Sequence, residues 1–201
     1  MPINAANVVV GAPDQSSTVG AVNWAATSAS MPTDAKTTLP SVTWTSGGYV
    51  STDGVALSID QGTTSIQDWS LGHIRTLLED FTGTVTFTFV QTDYNSLCAI
   101  FGTSNVTLTP ATNSSGALIK LQVGPELAPA KAWAFNMKDG DQRVRLVLPN
   151  AQPTIDGEIS FVANEPISWS VSLDCNMDAN GKSIYFYYDD GVYATTTTTG
   201  A

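Results

Sequence analysis

Residues 47–102 read GGYVSTDGVALSIDQGTTSIQDWSLGHIRTLLEDFTGTVTFTFVQTDYNSLCAIFG. Near the end of this stretch Val85, Phe87 and Phe89 alternate with Thr84, Thr86 and Thr88. One aromatic face and one threonine face predict a half-buried strand. Upstream, Val55, Leu57 and Ile59 alternate with Ala56, Ser58 and Asp60, behind the turn chemistry of Ser51-Thr52-Asp53-Gly54. Then the period changes. Tyr94, Leu97, Cys98 and Phe101 fall at i, i+3, i+4 and i+7, one face of a helix. Thr92 or Asp93 can cap its start and Gly102 can end it in the left-handed conformation. So short a helix does not stand alone in water and has to lie on the sheet. Residues 61–72, QGTTSIQDWSLG, read as a long polar loop. Ile66, Trp69 and Leu71 are apolar residues in polar company there, as in a loop that reaches a neighbour.

Outward from this stretch the same signals recur. Val42 and Trp44 share a strand face, and residues 73–80 form a further strand with Arg75 on its polar side. Val106 with Leu108, then 119–123, Trp133 with Phe135, and Val144, Leu146 and Leu148 between Arg143 and Arg145 follow in order. Ile159 with Phe161, the run Ile167, Trp169, Val171, Leu173, and finally Ile184, Phe186 and Tyr188 complete the set. Short, regular strands separated by polar turns predict an all-β sandwich or barrel-like fold with one flanking helix. The organisation reads as an extended N-terminal arm (1–40) anchored by Trp24, a β-sandwich domain (41–190) and a polar C-terminal tail (191–201).

The chain has 201 residues, with eight basic and eighteen acidic side chains, for a net charge of -10. The excess is -6 over residues 1–100 and -4 over 101–201. Ordinary nucleic-acid binding needs basic patches and is disfavoured, whereas a surface over which DNA slides without sticking is compatible. The start, MPINAANVVVGAP, lacks a basic leader, and no apolar run approaches the roughly 20 residues of a membrane span. A soluble protein made in the cytosol, with no membrane partner, is the expectation.

Residues that could carry chemistry are few. His73 is the single histidine, and no G-x-S-x-G elbow accompanies it. Cys98 lies on the apolar helix face, and with Cys175 it makes no disulfide framework. Asn176, Asp178, Asn180 and Gly181 resemble the opening of a calcium loop, but Tyr187 stands where the twelfth-position glutamate belongs; a hairpin turn on Asn-Gly is favoured. Tyr185 to Tyr188 could stack on a sugar, although alternation sends half of them to the core. Arg143 and Arg145 are expected to pair with carboxylates, within the subunit or across a contact. No catalytic residue, metal site or cofactor is expected.

The order Met31-Pro32-Thr33-Asp34-Ala35, then Gly48 to Val55, Trp69, Ile74-Arg75-Thr76 and the FTFVQT strand leading into a helix and Gly102 resembles the major tail tube proteins of long-tailed phages, particularly those infecting actinobacteria. Asp139-Gly140, Arg143, Arg145, Pro149 and a late D-x-N-G turn extend the resemblance over about residues 31–190. A departure is Gln91, where the family tends to an acidic residue. The resemblance implies a β-sandwich with a flanking helix, hexameric rings that close one sheet into an inner barrel, and rings stacked into the conduit for genome ejection. It also implies a virion protein assembled in the host cytoplasm, not an enzyme. The implied partners are other copies of the chain, the tape measure protein, tail-end proteins and phage double-stranded DNA in transit.

On this reading Trp24, Ile66, Asp68, Trp69, Leu71 and Arg75 belong to the assembly interface, and Thr84, Thr86 and Thr88 face the lumen. The competing reading is a phage adhesin or carbohydrate-binding β-sandwich at the tail tip or capsid surface.

Overall fold

A computed structural model of the chain describes residues 7–15 and 20–193. The polar tail expected over 191–201 lies largely outside them, as do parts of the expected arm. The strands are β1 (Val22–Ala26), β2 (Thr45–Ser46), β3 (Val50–Gln67), β4 (His73–Phe89), β5 (Val106–Thr109), β6 (Leu118–Leu121), β7 (Lys131–Asp139), β8 (Gln142–Ile155), β9 (Trp169–Cys175) and β10 (Tyr185–Asp189). The helix α1 spans Tyr94–Phe101. Eight strands form one antiparallel sheet in the order β2-β1-β7-β8-β9-β4-β3, with β10 beside β8, and β5-β6 form a small second sheet.

The sheet folds over on itself. On a flat sheet β4 and β7 would stand about 14 Å apart, three strand spacings. Yet Phe87 of β4 lies 5.7 Å from the ring of Trp133 and 5.4 Å from that of Phe135, both on β7. Strand β8 makes the fold possible. Its first half pairs with β7 and β10, and Ala151–Ile155 pair with β9. Between the halves the β7 register shifts, at Pro149 and Asn150. Proline has no amide to give a ladder, so the irregularity and the bend fall there.

Val85, Phe87, Phe89, Trp133, Phe135, Leu146, Leu148, Val171 and Leu173 fill the space between the halves. Each fully buried side chain of this size stabilises the fold by about 1.5–3 kcal/mol. The alternation read at 84–89 holds, with Val85, Phe87 and Phe89 buried and the threonines half-exposed on the other side.

Helix α1 closes one end of this core. Asp93 is the cap: the Ser96 amide donates to its carboxylate at 2.7 Å, and its own amide donates to the Ser96 hydroxyl at 2.9 Å, a reciprocal capping box. Gly102 ends the helix at φ 85°, where a Cβ would stand 2.8 Å from Pro129. The departure at Gln91 has a use here. Its amide oxygen accepts from the Tyr49 amide at 3.2 Å while its NH₂ donates to Asp93 at 2.6 Å, and a carboxylate could not do both.

Four expectations are corrected. First, Val22–Ala26, read as part of an extended arm, is a sheet strand between β2 and β7. Ala25, Leu39, Trp44, Ala132, Ala134 and Val147 form a second apolar cluster on the outer side of β7, so this half of the sheet is buried on both faces and shows no alternation. The segment after β1 therefore wraps its own subunit, and Ala12 and Asp14 bond to Lys138 and Asn136 along the end of β7.

Second, Val42 is exposed in a turn while Trp44 is buried in that second cluster, so they share no strand face. Third, Ile159 and Phe161 lie in the irregular connection between β8 and β9. Fourth, residues 61–67 are strand rather than loop, and 73–80 belong to β4 itself.

Candidate assembly surfaces

Three surfaces stand out: a projecting ribbon, a hydroxyl-covered sheet face and a groove beside β10. The ribbon arises because β3 and β4 outrun the sheet. Strand β9 pairs with β4 only through Thr84–Phe89, whereas β3 stays paired with β4 from Val55 to Gln67. From Gly83 to the last pair, Gln67 opposite His73, ten residues of β4 run on, about 33 Å at the rise of a strand. Gly62 sits at a register shift against Asp80, whose carboxylate oxygen lies 1.6 Å from where a Cβ would be. Only glycine lets that carboxylate cross the ribbon there.

The tip is Asp68-Trp69-Ser70-Leu71-Gly72. Asp68 organises it: its amide donates to the Gly72 carbonyl at 2.9 Å, and its carboxylate accepts from the Ser70 hydroxyl at 2.8 Å and the Gly72 amide at 2.6 Å. Those donors, Ser70 first, hold the Asp68 carboxyl below the ordinary range. Leu71 takes φ 65°, a conformation that costs a branched side chain free energy. Trp69 is 102% exposed and Leu71 78%. Arg75 stands opposite Ile66, and the His73 ring lies 3.1 Å from the Thr76 hydroxyl.

Along the side of the ribbon that continues the core face, Leu57, Ile59 and Leu78 are exposed. The sequence pattern hid this element for a physical reason. Both faces meet water in the single chain, so polar and apolar residues do not alternate strictly.

The second surface is the outer side of β3, β4, β9 and the end of β8. Thr84, Thr86 and Thr88 stand beside Asp174, Ser172 and Ser170, and Ser58 and Ala56 flank Thr84 and Thr86 on the other side. The Thr88 and Ser170 hydroxyls are 3.1 Å apart, and Thr154 donates to the Ser172 carbonyl at 3.2 Å. Asp60 and Asp80 extend the same face onto the ribbon, opposite Thr82 and Gly62. No lysine or arginine occurs in 56–60, 80–88, 152–154 or 170–174.

The third surface is an open groove of about 680 Å³ between 33–35 and the 186–190 run. Phe186 and Tyr188 are exposed, whereas Tyr185 and Tyr187 stack on each other and pack against the second cluster.

The remaining candidates are accounted for by the fold. Trp24, expected at a subunit contact, lies opposite Trp133 within the sheet, its ring beneath the Lys131 ammonium. Lys131 donates to the Cys98 and Ala99 carbonyls at the end of α1, and burial lowers its pKa to about 8. Cys98 and Cys175 are free thiols, and burial pushes Cys175 up to about 11.

Arg143 pairs with Asp14 at 3.5 Å, inside the subunit. Arg145 is buried and donates to the Asn136 side chain and to the Asp34 and Thr37 carbonyls, pinning the wrap to the sheet. The Asp178 carboxylate accepts from the Tyr185 hydroxyl first, and from the Lys182 and Asn180 amides, which together lower its pKa to about 2. Its turn is not a hairpin, because β9 and β10 pair with β8 and not with each other.

No curated protein matches the chain. A family model described as phage tail tube protein matches residues 1–199. Among the described residues no helix is long and apolar enough to cross a membrane. An all-β subunit with a long projecting ribbon and a continuous family match agree: the chain belongs to the phage tail tube protein family and is a structural component of the virion tail.

Proposed function

We propose that the subunits close into hexameric rings, that the rings stack into a tube, and that the tube conducts the genome during ejection without any catalytic step by this chain. The ribbon carries the reading. It extends about 33 Å beyond the sheet, with Trp69 fully exposed at its end. Ile66, Asp68, Trp69, Leu71 and Arg75 are the ribbon's contacts with neighbouring copies. Trp24 is left out, because it serves the subunit's own sheet.

The hydroxyl face with Thr84, Thr86 and Thr88 lines the channel. Its carboxylates, including Asp60, Asp80 and Asp174, face a polyanion. Repulsion acts over the Debye length of about 8 Å at physiological salt, so double-stranded DNA passes close to the wall without being held. Tape measure and tail-end proteins are the remaining partners.

The test is negative-stain imaging of the purified protein at high concentration. Rings or tubes are expected; monodisperse single particles under all conditions would overturn the reading and favour a binding module.

A further inference from the structure

We infer that the ribbon tip of one copy seats in the groove beside β10 of a second copy, with Trp69 inserted between the 33–35 segment and β10 at Tyr187. The inference rests on the tube reading and names the acceptor which that reading leaves open. The tip cannot serve its own subunit. Beyond Gly83 the ribbon pairs with no third strand, and every hydrogen bond of Asp68, Ser70 and Gly72 given above stays within the tip. A side chain as large as tryptophan, bare to water, is the kind of anchor that concentrates interface energy once a pocket takes it.

The groove suits that anchor in size and lining. Its volume of about 680 Å³ exceeds what an indole needs, and Tyr187 lines it from the β10 face it shares with Arg145, whose guanidinium holds the 33–37 segment. Charge fits as well. Arg75 lies near the tip and, among the described residues, makes no ion pair. The groove ends at Asp189 and Asp190, whose carboxylates accept the Gly191 and Val192 amides and are in no ion pair among the described residues. Of the nearby cations, Arg143 pairs with Asp14, and Lys36 donates to the Tyr193 hydroxyl and feels the Asp189 charge, which leaves Asp190 as the carboxylate for Arg75.

Symmetry adds a further reason. Tip-into-groove is a heterologous contact, since each copy gives one element and receives a different one. Such contacts close into rings or run on into filaments. Tip-to-tip pairing would instead saturate at a dimer.

Two measurements test the seat in full-length protein. In a Cys175→Ser background, Ser70→Cys is combined with Asp190→Cys or, as a control, with Ser114→Cys, and assembled tubes are oxidised. A ladder of cross-linked oligomers with Asp190→Cys and none with Ser114→Cys is expected. Separately, Arg75→Glu and Asp190→Arg should each raise the concentration needed for assembly by about tenfold or more. The double variant should recover assembly, because every copy then carries the swapped pair.

Tubes that form but cross-link equally at both sites, or not at all, overturn the seat and leave the tube reading standing. So does a double variant no better than the singles while its monomer melts like wild type. Absence of rings and tubes from the wild-type protein overturns both.

Discussion

The ammonium of Lys131 stands 4.4 Å from the centroid of the Trp24 ring. This contact joins the first strand of the sheet to the end of α1, whose Cys98 and Ala99 carbonyls accept from the same ammonium. A cation over an aromatic face is worth about 0.5–2 kcal/mol, more when shielded from water. Trp24 therefore belongs to the architecture of the single subunit.

Trp24→Ala is expected to cost about 3 kcal/mol of folding stability, or a melting temperature lower by about 6–12 °C for a chain of this size. Trp69→Ala should do the reverse: the monomer melts within a few degrees of wild type and tube formation fails. Calorimetry of the two monomers beside electron microscopy of the two preparations checks the contrast. A large loss of melting temperature in Trp69→Ala would return that residue to the fold.

Leu71 separates backbone strain from contact. Asparagine tolerates positive φ far better than leucine and avoids the unfolded-state entropy that glycine would bring. Leu71→Asn should thus leave the monomer as stable as wild type or up to about 1 kcal/mol more so. Assembly should weaken, because an apolar contact is lost. Chemical denaturation and a sedimentation assay for tubes read the two effects separately.

Lys131 sets a pH dependence with a definite sign. Its folded pKa is about 8, against an ordinary value of 10.5. Below pH 8 the ammonium is protonated in both states and folding bears the whole cost of burying it. Between pH 8 and 10.5 the unfolded chain holds a proton the folded chain has released, so this group's contribution to stability rises with pH. The total gain is on the order of 3 kcal/mol. Cys175 works the other way above pH 9, since its thiol stays protonated longer when folded. Comparison with Lys131→Met cancels that term: from pH 7 to 10 the wild type should gain stability relative to the variant. Parallel curves would refute the buried ammonium.

The hydroxyl face predicts a gain of function. Thr86→Lys with Ser170→Lys places two cations per copy where the wild type has none. Tubes should still form, and they should now retain double-stranded DNA, with a retention that falls steeply as salt rises. Tubes that ignore DNA despite the lysines would put this face on the outside.

Much of the fold could be read from residues alone wherever one side of an element meets the core and the other meets water. Val85, Phe87 and Phe89 announced β4 on that ground, and the change of period at Tyr94 announced α1. The reading failed where both sides share an environment. Val22, Asn23 and Ala25 are all buried, so β1 looked like irregular chain. Residues 61–67 are wet on both sides, so their strand looked like a loop. Of the candidate assembly surfaces, Trp69 was visible as a large aromatic in polar company. The groove was not, because its walls come from residues some 150 positions apart and meet only in the folded chain.

A two-stranded ribbon with no third strand has marginal stability in water. A free subunit therefore meets its neighbour with that element only partly ordered, and the first contact between two copies has to supply the ordering free energy. Later copies meet a neighbour whose ribbon is already fixed. Polymerisation of this kind has a slow start and fast growth, so it shows a lag that preformed seeds abolish. On the tube reading, the length of the ribbon slows the first step of assembly, so purified protein at high concentration should form tubes only after a lag.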